Sequence, residues 1–284
     1  MTGFGAIGSG FGRMFHRPSV MAAELAWRWS LGAALIMLFA AGTIELLRSI
    51  TVIGGDPLTG LQARVALIAA AWIGGTAFLW ILAAASGRCA TLPLLFRTLP
   101  VAARFRAQAG IAFLRAALAL AGGLALLLAC RLAANIASTT EDSQFGWWFL
   151  AFVPSAMLIG FCWMVVRWFL GVAPVLAAAE QQDTLGAISR AVGLFRDRPG
   201  AMFLIGICFA LLQMAIAAGA WMFAMGALSV LMQWSGTAAL AGLAMVALAY
   251  CALADTLRLA RLGAYAAMVE DAATAIGTQP VTES

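Results

Sequence analysis

The chain falls into six long apolar runs separated by short polar breaks: about Ala26–Leu47, Val65–Ala85, Ala109–Leu132, Gly146–Val172, Pro199–Leu231 and Thr237–Leu259. Each run matches or exceeds the roughly 20 apolar residues that a helix needs to cross bilayer hydrocarbon, so the pattern predicts six transmembrane helices. The fifth run is longer than a bilayer requires, which predicts tilt or a projecting end. In the first, "LFAAG" at 38–42 ends in small residues like a leader cleavage site. The apolar run continues past it and the preceding segment is long, so this span is expected to stay as an anchor.

Two shorter stretches have helical stripes of a different kind. Between the fourth and fifth runs, Leu185, Ile188, Val192 and Phe195 fall at i, i+3, i+7 and i+10, on one face of a helix. Asp183 or Thr184 can cap its start, and Pro199 suits the first turn of the helix that follows. The N-terminus repeats the scheme with Phe4, Ile7, Phe11, Met14 and Phe15, followed by "HRPSVM". Its glycines (Gly3, Gly5, Gly8, Gly10, Gly12) each cost a helix about 1 kcal/mol relative to alanine, so this stretch is expected to form only against lipid or protein. A weaker third copy, "RFRAQAG" at 104–110, precedes the third run. Arg17, Arg106 and Arg198 are spaced 89 and 92 residues apart. This spacing predicts three units, each an interfacial helix followed by a transmembrane hairpin. The alternative is that every hairpin entering from one side carries an arginine and a turn residue.

Composition agrees with the membrane reading. The 284 residues are 64% hydrophobic and only 10% charged, with mean hydropathy +0.97. A soluble domain carries about 25% charged residues. The expected architecture is all-α and polytopic, with a single six-helix transmembrane domain over 1–262. Within it, 1–25, 88–106 and 183–198 are expected to be interfacial segments on the cytoplasmic face, and 263–284 a cytoplasmic tail.

Placing the N-terminus inside puts fourteen of the 17 arginines inside, against Arg48, Arg64 and Arg131 outside. That is a positive-inside distribution. Both termini are expected in the cytoplasm and the chain in a bacterial inner membrane, with the tryptophans of "TTEDSQFGWW" (139–148) at the outer interface. All basic residues are arginine, whose fork grips phosphate in a two-pronged way.

Candidate chemistry is sparse. The five cysteines stand singly and His16 is the lone histidine, so no disulfide framework, metal centre or cofactor is expected. No Walker-type, HExxH or GxSxG motif occurs, and the glycine-rich "GFGAIGSGFG" (3–12) lacks the strand and lysine of a phosphate loop. The net charge of +5 is distributed along a membrane face, which argues against nucleic acid as a partner. Helical rise puts Arg28 and Arg48 at opposite faces of the first span. It lets Glu45 pair with Arg48 and Asp255 with Arg258, and forces no charge to the midplane. Gln213 is the one deep amide, and Ala70/Gly74, Ala119/Gly123 and Ala238/Gly242 permit close helix packing. Pro154 is expected to kink the fourth span beside Ser155.

The stretch "GVAPVLAAAEQQDTLGAISRAVGLFRDRPGAMFLIGICFALL" (171–212) and the ending "ALADTLRLARLGAY" (252–265) resemble a group of bacterial six-helix proteins. The group comprises YciC-like proteins and the membrane domain attached to some glycerophosphodiester phosphodiesterases. Pro174, Glu180, Ser189, Arg190 and Arg198 occupy the places of the group's motif. The resemblance implies the fold and no enzyme, since the phosphodiesterase domain is absent.

The candidate binding residues are Arg17, Arg167, Glu180, Arg190, Arg198, Asp255, Arg258 and Arg261, read as an arginine-rich cytoplasmic rim for anionic lipid or a partner. The partner would be another protein or a second copy of the chain. The plainer reading of the same residues is topology signals and helix-end salt bridges. The expected function is a non-enzymatic scaffold, accessory subunit or factor in envelope lipid homeostasis. The alternative is a transporter or channel for an apolar or lipid-like molecule, along Gln213, Thr76 and Ser155.

Overall fold

A computed structural model of the chain describes residues 1–52, 59–97, 99, 101–138, 144–231 and 236–277. The expected Glu45–Arg48 pair, Arg64 and the acidic stretch 139–143 lie outside the described residues and side chains. Eight helices follow one another: α1 (Gly3–His16), α2 (Pro18–Val52), α3 (Thr59–Leu95), α4 (Phe105–Ser138), α5 (Gln144–Ala179), α6 (Thr184–Asp197), α7 (Pro199–Leu231) and α8 (Gly236–Gly277). Among the described residues there is no strand. Six of the helices, α2, α3, α4, α5, α7 and α8, are long and apolar enough to cross a membrane. The predicted count stands, but the helices are longer than the apolar runs. At 33 to 42 residues they measure about 50 to 63 Å, well beyond the ~30 Å of bilayer hydrocarbon.

The extra length builds a second region. The main buried cluster lies at one end of the bundle, where α1 and α6 meet the starts of α2 and α7 and the ends of α3, α5 and α8, while the far end buries small residues such as Ala133, Ala137 and Ala239. In the main cluster Leu92, Val172, Leu176, Ile205, Leu259, Tyr265 and Met268 are all nearly inaccessible. At the opposite end the large apolar side chains face outward, among them Leu127, Leu150, Met157, Met214, Trp221 and Phe223. Total accessible surface is 17,233 Å², against about 11,600 Å² for a soluble monomer of this mass. One end is therefore packed like a soluble domain, and the other is left open to an apolar surrounding.

The short helices belong to the packed end. α1 is capped by Thr2, whose hydroxyl accepts from the Gly5 N–H, and α6 by Asp183, whose carboxylate accepts from the Gly186 N–H at 2.8 Å. The buried face of α1 is Gly3, Ala6, Gly10, Arg13 and Met14. The predicted aromatic stripe divides: Met14 is buried, Ile7 and Phe11 pack partly on the core, and Phe4 and Phe15 are exposed. Glycine is needed at Gly10 because α1 crosses α8 there; a Cβ would run into the Ala260 carbonyl and the Ala264 backbone. Gly74 and Gly123, from the predicted small-residue pairs, stand in open space instead.

Three further readings change. Residues 88–106 form no helix of their own: α3 continues over Pro93 to Leu95, and a short connection leads into α4 at Phe105. The third repeat thus lacks its short helix. Within the expected tail, residues 263–277 continue α8 and Ala264–Val269 are core, while 278–284 lie outside the described residues. Pro154 sits within α5, where the Ser155 hydroxyl donates to the Ala151 carbonyl at 2.9 Å.

Replacing Gly10 by valine should separate α1 from α8. Overpacking against side chains costs about 1–3 kcal/mol, and here the obstacle is backbone. A lower melting temperature in detergent and faster proteolytic loss of residues 1–16 are the expected readouts.

Candidate functional site

Where the packed end meets the open spans, arginines from five helices come to one level. From the far helix ends, Val52 to Arg28, Ser138 to Arg115, Gln144 to Arg167 and Gly236 to Arg258 are 22 to 24 residues, or about 33 to 36 Å. This is one hydrocarbon thickness with a small margin. The arginines mark a plane, with apolar spans on one side and the packed core on the other.

They surround a cavity of about 350 Å³. Arg28, Arg88, Arg115, Arg167, Arg258 and Arg261 all line it, from α2, α3, α4, α5 and α8. Toward the open spans the wall turns apolar, with Trp80, Ala84, Leu118, Ala119 and Trp163. Trp27 and Tyr265 complete the polar side. Gly87 lies against the Trp27 ring, leaving no room there for a Cβ.

Half of these arginines are bridged by two carboxylates. Glu24, only 2% exposed, accepts on one oxygen from Arg28 Nε at 2.6 Å and lies 3.2 Å from Arg88 Nη2. Its other oxygen accepts from the Trp27 indole at 2.9 Å. Asp255 Oδ1 lies 3.1 Å from Arg28 Nη1 and 3.5 Å from Arg258 Nη1. Each carboxylate shares one oxygen between two guanidinium groups. The bridged nitrogens are therefore no more than about 6 and 7 Å apart. Arg88 is 6% exposed, and its Nη1 has no hydrogen-bond partner.

The other three have no carboxylate. Arg115 donates to the Leu170 carbonyl. That carbonyl is free because Pro174, four residues on, has no N–H to complete the helix bond. Arg261 donates from Nε to the Tyr265 hydroxyl at 2.8 Å and lies over the same ring at 5.5 Å. Arg167 lines the cavity, is exposed, and makes no hydrogen bond or ion pair among the described residues. Six guanidinium groups against two carboxylates leave four positive charges around one cavity.

The sequence-predicted residues divide between this cavity and the packed end. Arg167, Arg258 and Arg261 line the cavity, with Asp255 in its ion-pair chain. Arg17 instead donates to the Leu94 carbonyl at 2.9 Å, capping the end of α3 together with Arg13, which donates to Leu95 and pairs with Glu270. Arg198 pairs with Asp271 at 2.8 Å. Arg190 pairs with Glu180 at 3.0 Å on the surface, a contact of little energetic weight. Gln213 is half-buried and outside the cavity, and the Thr76 and Ser155 hydroxyls donate to carbonyls of their own helices.

Arg28, Arg88, Arg115 and Glu24 were not singled out from the sequence. Their signal was there: Glu24 and Arg28 are at i, i+4, and each arginine interrupts an apolar run by itself. No ionised group is forced to the midplane by helix length, yet Glu24 and Arg88 are buried side by side.

Removing Glu24 should reveal how this cluster is balanced. In Glu24→Ala, Arg28 and Arg88 lose a shared acceptor while buried, and a loss of about 3–5 kcal/mol is expected. Thermal denaturation of the purified chain in detergent measures it, and adding Arg88→Met should restore part of the loss.

Set against protein-family models, curated proteins and solved structures, the chain has no match.

Proposed function

We propose that this is a multi-pass membrane protein without enzymatic activity that engages anionic lipid through its layer of arginines. It would serve as a scaffold, accessory subunit or factor in envelope lipid homeostasis. The carrying observation is the cavity lined by six arginines, three of them paired with Glu24 or Asp255 behind the wall, whose lining turns apolar toward the open spans. Buried charge requires a counter-charge. An anionic headgroup with its chains against Trp80, Leu118 and Trp163 supplies both the anion and the apolar contact.

In this reading the packed end lies on the cytoplasmic side of a bacterial inner membrane with both termini inside, as the arginine asymmetry favours. The resemblance to the YciC-like and phosphodiesterase-linked membrane domains is part of the same proposal. So is a partner, another protein or a second copy, at the arginine-rich rim. The transporter alternative draws less support, because Gln213, Thr76 and Ser155 do not line the cavity.

Native mass spectrometry tests the lipid reading: the purified chain, reconstituted with competing lipids and re-extracted, should retain phosphatidylglycerol several-fold over phosphatidylcholine. Equal retention would refute it. Orientation is tested separately by adding a cysteine within 183–198 and labelling intact cells, where protection from an impermeant reagent is expected.

A further inference from the structure

Resting on the lipid reading, we infer that the cavity is a headgroup site for a lipid diphosphate, a chain ending in two linked phosphates, rather than for an ordinary phosphodiester lipid. Three observations converge on this class.

The first is charge. Four positive charges are left around the cavity after Glu24 and Asp255 are counted. A phosphodiester head offers one negative charge and leaves most of them unmet. A diphosphate monoester carries two to three in one compact group, which approaches balance.

The second is the supply of donors. Arg115, Arg167 and Arg261 come from α4, α5 and α8 and lack a carboxylate. Arg115 and Arg261 retain N–H groups beyond their anchoring bonds, Arg167 has no such bond among the described residues, and Arg88 Nη1, buried in the same wall, has none of its hydrogen bonds made. An arginine fork takes two oxygens at a time. Forks on separate helices need more terminal oxygens than a diester has, and a diphosphate has more than twice as many.

The third is shape. The volume of about 350 Å³ exceeds what one phosphate fills, and the apolar wall of Trp80, Leu118 and Trp163 begins directly above the arginines. A single chain leaving the diphosphate can follow that wall into the open spans. The wall favours a lipid over free diphosphate, the other source of the same chemistry.

The test uses the full chain in detergent micelles and measures binding of five probes: farnesyl diphosphate, farnesyl monophosphate, phosphatidylglycerol, cardiolipin and inorganic pyrophosphate. Farnesyl diphosphate should bind at least about tenfold more tightly than the monophosphate or phosphatidylglycerol. Arg167→Gln should weaken it about ten- to a hundredfold, the range for a lost charged hydrogen bond. Arg167 makes no ion pair, so this variant should fold; Arg167→Lys, which keeps the charge and loses the fork, should recover only part of the binding. Arg131→Gln, on the far part of α4, should bind as the parent does. Equal affinity for phosphatidylglycerol would overturn the diphosphate inference and leave the lipid reading standing. Equal affinity for cardiolipin would show that total charge is read, and also overturns it. Pyrophosphate binding as tightly as farnesyl diphosphate would overturn the lipid source. No affinity for any probe would overturn both the inference and the reading beneath it.

Discussion

The structure is organised around an uncompensated positive charge held at the joint between two differently solvated regions. Two guanidinium groups about 6 Å apart repel by roughly 3 kcal/mol at an effective dielectric of 20. Glu24 and Asp255 offset this for Arg28, Arg88 and Arg258 by placing one oxygen between each pair. Nothing comparable stands between Arg115, Arg167 and Arg261. Repulsion among arginines lining one cavity pushes their helices apart, and the packed end opposes it, which gives the core at α1, α6 and the ends of α3, α5 and α8 a mechanical purpose. It fixes the arginines at a level that the apolar spans alone would not maintain.

That core is built from backbone contacts as much as from apolar area. Gly10 lets α1 cross α8 at backbone distance, and Gly263 faces it, where a Cβ would lie 3.1 Å from the Gly10 carbonyl. The end of α3 is closed by arginines from the N-terminal segment: Arg13 and Arg17 donate to carbonyls that the helix cannot satisfy itself. Glu270 then receives both Arg13 and the Arg97 backbone N–H. Between α5 and α6, Gln181 adopts a left-handed φ of 52° and ties the α3–α4 connection down through Ala102 and Arg104. Of the glycines that make α1 a poor isolated helix, Gly3 against α7 and Gly10 against α8 are the ones its docking requires.

Much of the fold could be read from the chain, and much of the site could not, for physical reasons. Six spans, the two short helices and the Asp183 cap follow from local rules: apolar run length, a 3.6-residue period and side-chain capping. The stripe on α1 misled because periodicity locates an apolar face without saying what it meets. Phe4 and Phe15 stay exposed, while glycine and alanine are buried, since close approach selects for small size there. Arg17, Arg190 and Arg198 belong to the same basic rim in sequence, but their neighbours in space are helix carbonyls or single acids. Arg28, Arg88 and Arg115 converge only after three spans have packed, so spacing within any one helix could not reveal them. Distance from the far helix end, nearly constant at 22 to 24 residues for four of the arginines, is the clue a sequence offers.

How these arginines are anchored distinguishes a structural cluster from a binding one. A guanidinium that serves only to hold a fold is best met by a carboxylate, which fixes its position and cancels its charge together. At the packed end Arg13 has Glu270 and Arg198 has Asp271, while Arg17, which caps α3, is held by the Leu94 and Phe96 carbonyls. Around the cavity the pattern differs: Arg115 is held by a carbonyl that Pro174 leaves free, and Arg261 by the phenol of Tyr265. Both acceptors are neutral, so they position the guanidinium groups and leave their charge intact. A proline placed within a spanning helix gives up a backbone bond, and the carbonyl it releases is filled by a positive charge facing a cavity. Neutral anchoring on two helices, beside a buried Arg88 nitrogen with no partner, is the arrangement expected where the missing negative charge arrives with a ligand.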